Sequence, residues 1–328
     1  MNNIVTGNIV NNTNNTKDIK DQNNNEIVQC PICDNYFGIF DIEDHVDLCY
    51  VLLESERKVD DTIKINKIEY TEPELTERQI AAYKYCKKKA KIHSDQTKKL
   101  AAIRFAENGY EEYHAETINN YIKNIVKITI NIKNETVLKF LQYESKIKNG
   151  YEIGRYQKSN INTCGRNSWE SNLFNGIYDD AEDFERVKYG AVNIFNEPNG
   201  ISVCFGYGDS FFVLKDELKS RTTFVCGDSC AKMLHICTFK YCEQLLIHPQ
   251  NSHFRAIVDN IIGKSNKSNQ SFTFPYIEAQ IHGPIRLNMD IEKYCIKKSI
   301  FEKMSNDKKN ELNQFCEVNN IEFVILNC

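Results

Sequence analysis

The sequence predicts an α+β protein: a helical N-terminal lobe and then a mainly antiparallel sheet, preceded by a small ββα-type zinc finger. Three observations carry this. Cys30-Pro31-Ile32-Cys33 and His45-Val46-Asp47-Leu48-Cys49 set four metal-binding side chains at finger spacing. Residues 75 to 108 read as helix. From about 187 onward, short β-rich runs are punctuated by Gly, Asn, Pro and Asp turns, and helices followed by strands is an α+β order.

In chain order, ten of the first 25 residues are Asn and few are apolar, so residues 1–28 are expected to be a disordered tail. The finger follows at 29–50. Two thiolates on the Cys-x2-Cys turn reach one metal, and His45 and Cys49, four apart, share a helical face. Cys30, Cys33, His45 and Cys49 close the coordination sphere, so the Zn2+ is structural. Residues 51–74 are charged, end near Thr71-Glu72-Pro73 and read as a linker, leaving 75–328 as the large domain.

Thr76 and Gln79 form a capping-box signature. Ile80, Tyr83, Cys86 and Ala90 keep a helical period behind it, and a second helix is expected over 96–108. Strands are expected at 190–194, 201–205, 211–214, 222–226, 276–281 and 322–326. Helices are expected near 229–247 and 251–262, with a polar loop at 263–271.

The chain has 328 residues and a net charge of −4, so no polybasic surface advertises nucleic acid or an anionic membrane. The expected finger helix itself, Asp41 to Leu48, is acidic, which argues against a DNA-reading role. No signal peptide and no membrane-length apolar run is found. Thirteen cysteines, an odd number with one pair already in a zinc motif, fit a reducing cytosol or nucleus better than a disulfide framework. Cys204 and Cys226 read as small core residues. Cys226, Cys230, His235 and Cys237 match no familiar metal spacing.

Nucleotide-loop and nucleophile-elbow motifs are missing. Gly206-Tyr207-Gly208-Asp209 reads as a hairpin turn. Tyr276 to His282 alternates strictly, setting Tyr276, Glu278, Gln280 and His282 on one face and Ile277, Ala279 and Ile281 on the other. The polar face suits a sugar or nucleotide, although a solvated strand face is the favoured reading of the pattern alone. Asp228, at a strand-to-loop junction, is placed either for ligand contact or, more simply, as a helix cap. Arg155 in a Gly-flanked polar segment has the geometry of a phosphate clamp, against the default of a surface Arg. Arg166 lies nearby, and Trp169, the single Trp, is expected to anchor the core.

Two resemblances sharpen this reading. The Cys-Pro-x-Cys and Ile-x-x-His-x-x-x-Cys pattern resembles the ubiquitin-binding zinc fingers of DNA-repair and ubiquitin-signalling proteins, over about 22 residues. That resemblance implies that Asp47 meets ubiquitin. Three further motifs run Glu185-Arg186-Val187-Lys188-Tyr189-Gly190-Ala191-Val192-Asn193, Arg221 to Ser229, and Glu278-Ala279-Gln280-Ile281-His282-Gly283-Pro284. Together, over roughly 75–295, they resemble the CteC-like ubiquitin threonine ADP-ribosyltransferases. The resemblance implies an ADP-ribosyltransferase-like domain that uses NAD+ as co-substrate and ubiquitin as partner. It implies Glu278 and Asp228 as catalytic residues. Arg155, Tyr189, Gly190, Asp228, Gln280 and His282 are implied as the NAD+-binding set. One departure stands out: the common transferase pattern puts the catalytic Glu second, as Glu-x-Glu or Gln-x-Glu, whereas here Glu278 precedes Gln280. The competing expectations are a non-catalytic ubiquitin-binding adaptor with a degenerate enzyme-like domain, and another ubiquitin-directed enzyme such as a hydrolase. For a thiol protease, no cysteine sits in a recognisable nucleophile motif.

Overall fold

The computed structural model describes residues 27–29, 36–38, 75–139, 141–156, 165–230, 235–264 and 276–327. The chain divides into two compact units, Met1–Glu69 and Tyr70–Cys328. In the first unit, β1 (Ile27–Gln29) pairs antiparallel with β2 (Tyr36–Gly38). Residues 1–26 of the expected tail, the zinc ligands Cys30, Cys33, His45 and Cys49, Asp47 and the linker lie outside the described residues, while the last two tail residues, Ile27 and Val28, belong to β1.

The second unit opens with α1 (Glu77–Glu107), a single 31-residue helix where two were expected. The Thr76–Gln79 capping box forms as the sequence indicates: each side chain reaches the other residue's backbone N–H. The buried stripe is Gln79, Ala82, Cys86, Ala90, Ser94, Thr97, Ala101 and Phe105. These side chains are mostly small, which allows close approach to the sheet. Ile80 of the expected apolar period is exposed instead.

Next come α2 (Tyr113–Asn124), β3 (Lys127–Ile132), α3 (Asn134–Lys139), β4 (Lys146–Ile147) and α4 (Gly165–Phe174). They are followed by β5 (Lys188–Asn193), β6 (Ser210–Leu214), β7 (Thr222–Cys226), β8 (Ile236–Thr238) and α5 (Asn251–Ile261). The chain ends with β9 (Ile277–Ile281), β10 (Ile285–Arg286), β11 (Ile291–Lys297), α6 (Asn306–Val318) and β12 (Glu322–Leu326). Eight strands form one sheet in the order β12-β11-β6-β3-β5-β9-β7-β8. Only β11–β12 is parallel among these pairs. The fold is therefore α+β, a large mixed sheet with several helices. No helix among the described residues is long and apolar enough to cross a membrane.

Three sequence expectations change. Residues 201–205 belong to a 3-10 helix, Ser202–Gly206, rather than a strand. The expected helix near 229–247 is replaced by β8 and the 3-10 turn Glu243–Leu246. Gly206 to Asp209 is no hairpin turn; it leads from that 3-10 helix into β6, whose neighbours are β3 and β11. The close approach of β3 there requires glycine, because a Cβ on Gly208 would sit 2.2 Å from the carbonyl carbon of Ile132. Gly208→Ala is expected to cost about 1–3 kcal/mol, read as a lower thermal midpoint with the fold retained.

Burial explains why β9 does not read as a solvated strand. It lies between β5 and β7, and every residue from Ile277 to Ile281 is buried. Ile277, Ala279 and Ile281 join the main apolar core. A second cluster holds Ala82, Cys86 and Ala90 of α1, Leu173 and Phe174 of α4, and Val225 and Ile236 of the sheet. Val225 is the register partner of Glu278, so this second cluster continues the face of β9 that carries Glu278 and Gln280.

Candidate active site

A cavity of about 200 Å³ opens over the middle of the sheet. Thr129 and Asn131 of β3, Tyr189 to Ala191 of β5, and Tyr276 and Glu278 line it from the strands. Arg155, Arg166 of α4, Cys204 and Tyr207 come from outside the sheet.

Glu278 is 4 % exposed. One carboxylate oxygen accepts from the Gln280 amide at 3.0 Å and the other contacts the Tyr276 hydroxyl at 3.2 Å. The same hydroxyl reaches Asp228 at 3.0 Å. Asp228 also accepts from the backbone N–H of Cys230 at 2.9 Å. Gly227, at φ 96°, adopts the left-handed backbone that favours glycine. Its N–H donates to the Tyr276 carbonyl and its carbonyl accepts from the Glu278 N–H. That clip turns the chain out of β7 and brings Asp228 to Tyr276.

The two carboxyl groups are driven apart. Burial pushes Glu278 above its ordinary range, the Gln280 amide pulls back, and the nearby Asp228 charge pushes further up. Burial also pushes Asp228 up, but the Cys230 N–H, the Tyr276 hydroxyl and the Arg166 charge outweigh it and hold Asp228 below the usual range. Two carboxyl groups set apart in this way are the arrangement from which enzymes draw separate acid and base roles.

The cationic side is Arg166. Its guanidinium lies 4.2 Å from the Tyr189 ring centroid, 5.3 Å from Trp169 and 5.6 Å from Tyr156. Its Nε and Nη1 are buried with no hydrogen-bond partner. Donors left unmade in this way favour an incoming anion. Trp169, expected in the core, is half-buried and serves as part of this aromatic seat. Beneath it, the Tyr189 hydroxyl donates to Glu170 at 3.0 Å, and Glu170 pairs with Arg186 at 2.7 Å. That ion pair is 1 % and 2 % exposed.

The sequence-derived residues therefore separate. Glu278, Tyr189, Gly190 and Arg155 line the cavity, with Arg155 exposed at its edge. Asp228 joins them through Tyr276. Gly190 has a steric reason to be glycine, since a Cβ would sit 2.6 Å from the Thr129 carbonyl oxygen. Gln280 is fully buried and does not line the cavity; it is fixed between Thr223 and Glu278. His282, also expected in the NAD+-binding set, does not line the cavity either. It is fully buried, bonded to the Tyr178 hydroxyl at 2.9 Å and edged by Phe174 and Tyr83. Burial lowers its imidazole to about 3, so it is a neutral core histidine. Tyr276 and Arg166 are the cavity-lining groups that sequence reasoning left without a role. For Arg166, the available signal was an Arg three residues before the single Trp, a pairing that lets the two stack on a helix.

Among the described residues, no group of three or more His, Cys, Asp or Glu side chains is placed to hold a metal ion. The family described as "Protein of unknown function (DUF3626)" matches residues 126–327, well over half of the chain. The chain belongs to the DUF3626 family. The DUF3626 match runs from the start of β3 to β12 and takes in every residue of the cavity; α1 precedes it. Comparison with curated proteins finds no match.

Proposed function

We propose that the chain is an NAD-dependent mono-ADP-ribosyltransferase that modifies a hydroxyl side chain, such as a threonine, of ubiquitin, with the N-terminal finger recruiting the acceptor. The observation that carries this reading is the pair of carboxyl groups, Glu278 and Asp228, joined through one phenol beside the Arg166 guanidinium, whose Nε and Nη1 are buried with no hydrogen-bond partner. Breaking the nicotinamide–ribose bond builds positive charge on the sugar, and a buried carboxylate stabilises it best where water is excluded. Glu278 takes that role. Arg166, rather than the exposed Arg155, takes the pyrophosphate, because its free donors are already desolvated. Pockets that enclose a drug-sized ligand run to roughly 300–1,000 Å³. The present cavity is smaller, about 200 Å³, and suits the nicotinamide–ribose half, with Tyr189 and Tyr207 supplying ring faces. Gln280, locked onto Glu278, keeps the carboxylate in one orientation.

The ubiquitin assignment rests on the sequence patterns of the two regions, each of which points to ubiquitin. Cys30, Cys33, His45 and Cys49 would hold a structural zinc. Asp47 would contact ubiquitin. A finger tethered by the 51–74 segment raises the local concentration of the acceptor.

Nicotinamide release from NAD+, followed with and without ubiquitin, tests this. Ubiquitin-stimulated release is expected. With ubiquitin well below saturation, Cys33→Ser is expected to slow it roughly 10²-fold through loss of recruitment, and saturating ubiquitin is expected to restore the rate. Release that ignores ubiquitin contradicts the acceptor assignment, and no release at all contradicts the reaction.

A further inference from the structure

We infer that Tyr276 is a third catalytic residue, relaying the proton of the acceptor hydroxyl to Asp228 during transfer. This rests on the proposed transfer to a hydroxyl acceptor and specifies where its proton goes.

Three observations converge. The Tyr276 side chain lines the same cavity as Glu278. Its hydroxyl lies 3.0 Å from Asp228 and 3.2 Å from Glu278. Asp228 itself does not line the cavity, so it reaches the reacting atoms only through this phenol. One phenol carries one hydrogen and cannot donate to both carboxylates at once. The shorter contact runs to Asp228, the group held ionised, so the phenol hydrogen lies on that side and the phenol oxygen keeps its lone pairs for accepting.

The step balances. The nicotinamide–C1′ bond breaks, and nicotinamide leaves neutral with the bonding pair. The acceptor oxygen forms the new bond to C1′. Its proton passes to the Tyr276 oxygen as the phenol hydrogen moves to Asp228, which then releases a proton to water. As the sugar bond forms, the acceptor hydroxyl becomes strongly acidic, so a carboxylate held below its usual range is a sufficient final base. Tyr276 must begin protonated. Burial and the neighbouring Glu278 charge push its phenol well above the ordinary tyrosine range, so it stays protonated at neutral pH. Tyr207 lies beside it, with ring centroids 6.3 Å apart, and its side chain also hydrogen-bonds the Tyr276 hydroxyl.

Tyr276→Phe keeps the ring and removes the relay. Ubiquitin and NAD+ are offered to the full-length wild type and to the variant, and the initial rate of transfer is measured from pH 5 to 9. Asp228 is held below its usual range and stays ionised throughout this window, so an acid limb there belongs to Glu278, which burial raises, and is expected in both proteins. The variant is expected to lose about 10²-fold in kcat at every pH, with KM for NAD+ within about threefold and the thermal midpoint unchanged. A merely structural tyrosine would alter KM or the midpoint. Asp228→Asn is expected to give the same split, with kcat down and KM for NAD+ and the midpoint kept. Wild-type transfer with a Tyr276→Phe rate within threefold at every pH overturns the relay alone. No transfer by the wild type overturns the relay together with the reaction it serves.

Discussion

Glu278→Gln is expected to abolish NAD-dependent modification, by at least about 10³-fold in kcat, while leaving the protein folded and no less stable. The reason lies in its surroundings. Glu278 is 4 % exposed, and burial raises its carboxyl above the ordinary range. The sign follows. A carboxyl raised in the folded state binds a proton more readily there than when unfolded. Its contribution to stability is therefore full below the ordinary Glu value of about 4.3 and is lost as pH rises through the higher folded value. At neutral pH the ionised, buried group is a cost. Gln keeps the shape and removes the charge, so the thermal midpoint of Glu278→Gln is expected to equal or exceed that of the wild type at pH 7–8, with the difference closing below about pH 4. A scaffolding residue would behave in the opposite way, losing stability and activity together.

Glu170→Ala is expected to produce the largest loss of stability. Glu170 accepts from Arg186 at 2.7 Å and from the Tyr189 hydroxyl at 3.0 Å, all within the protein. Truncation leaves a buried guanidinium without its carboxylate, which costs about 3–5 kcal/mol. In a unit of this size the midpoint then falls by on the order of 10 °C. The control is Glu170→Met with Arg186→Met, which removes both charges and is expected to recover most of that loss, because the penalty is chiefly the orphaned partner. Activity is expected to fall as well, since Tyr189 seats Arg166 at 4.2 Å. A double variant no more stable than Glu170→Ala would show that packing, rather than charge pairing, dominates there.

What the sequence made legible was local. The Thr76–Gln79 box is a four-residue signal and forms as read. The strands at 190–194, 211–214, 222–226, 276–281 and 322–326 follow from β-rich runs with turn residues at their ends, and each is present within a residue or two. What failed was non-local. The apolar run 201–205 turned into a 3-10 helix, because a half-buried turn and a short strand have the same composition. β3 follows α2 with no Gly or Pro between them, so its alternation of Lys, Ile, Thr, Ile, Asn and Ile carried no punctuation to mark it. β8 has only three residues. The polar face of β9 looked solvated because nothing within it reports that β5 and β7 flank it. That same burial separates His282, sealed under Phe174 and Tyr178, from Glu278 four residues earlier, which opens on the cavity. Tyr276 was visible as a member of the alternating face, but its link to Asp228 spans 48 positions and exists only once Gly227 has turned the chain.

The central claim is a covalent transfer that depends on Glu278, and the intact mass of ubiquitin reads it directly. Ubiquitin is incubated with NAD+ and the zinc-loaded full-length protein, wild type or Glu278→Gln, and weighed. Ubiquitin heavier by one ADP-ribose with the wild type, and unchanged with Glu278→Gln, is the expected result. Unmodified ubiquitin with a folded, zinc-loaded wild type contradicts it, as does modification that persists at full rate in the variant.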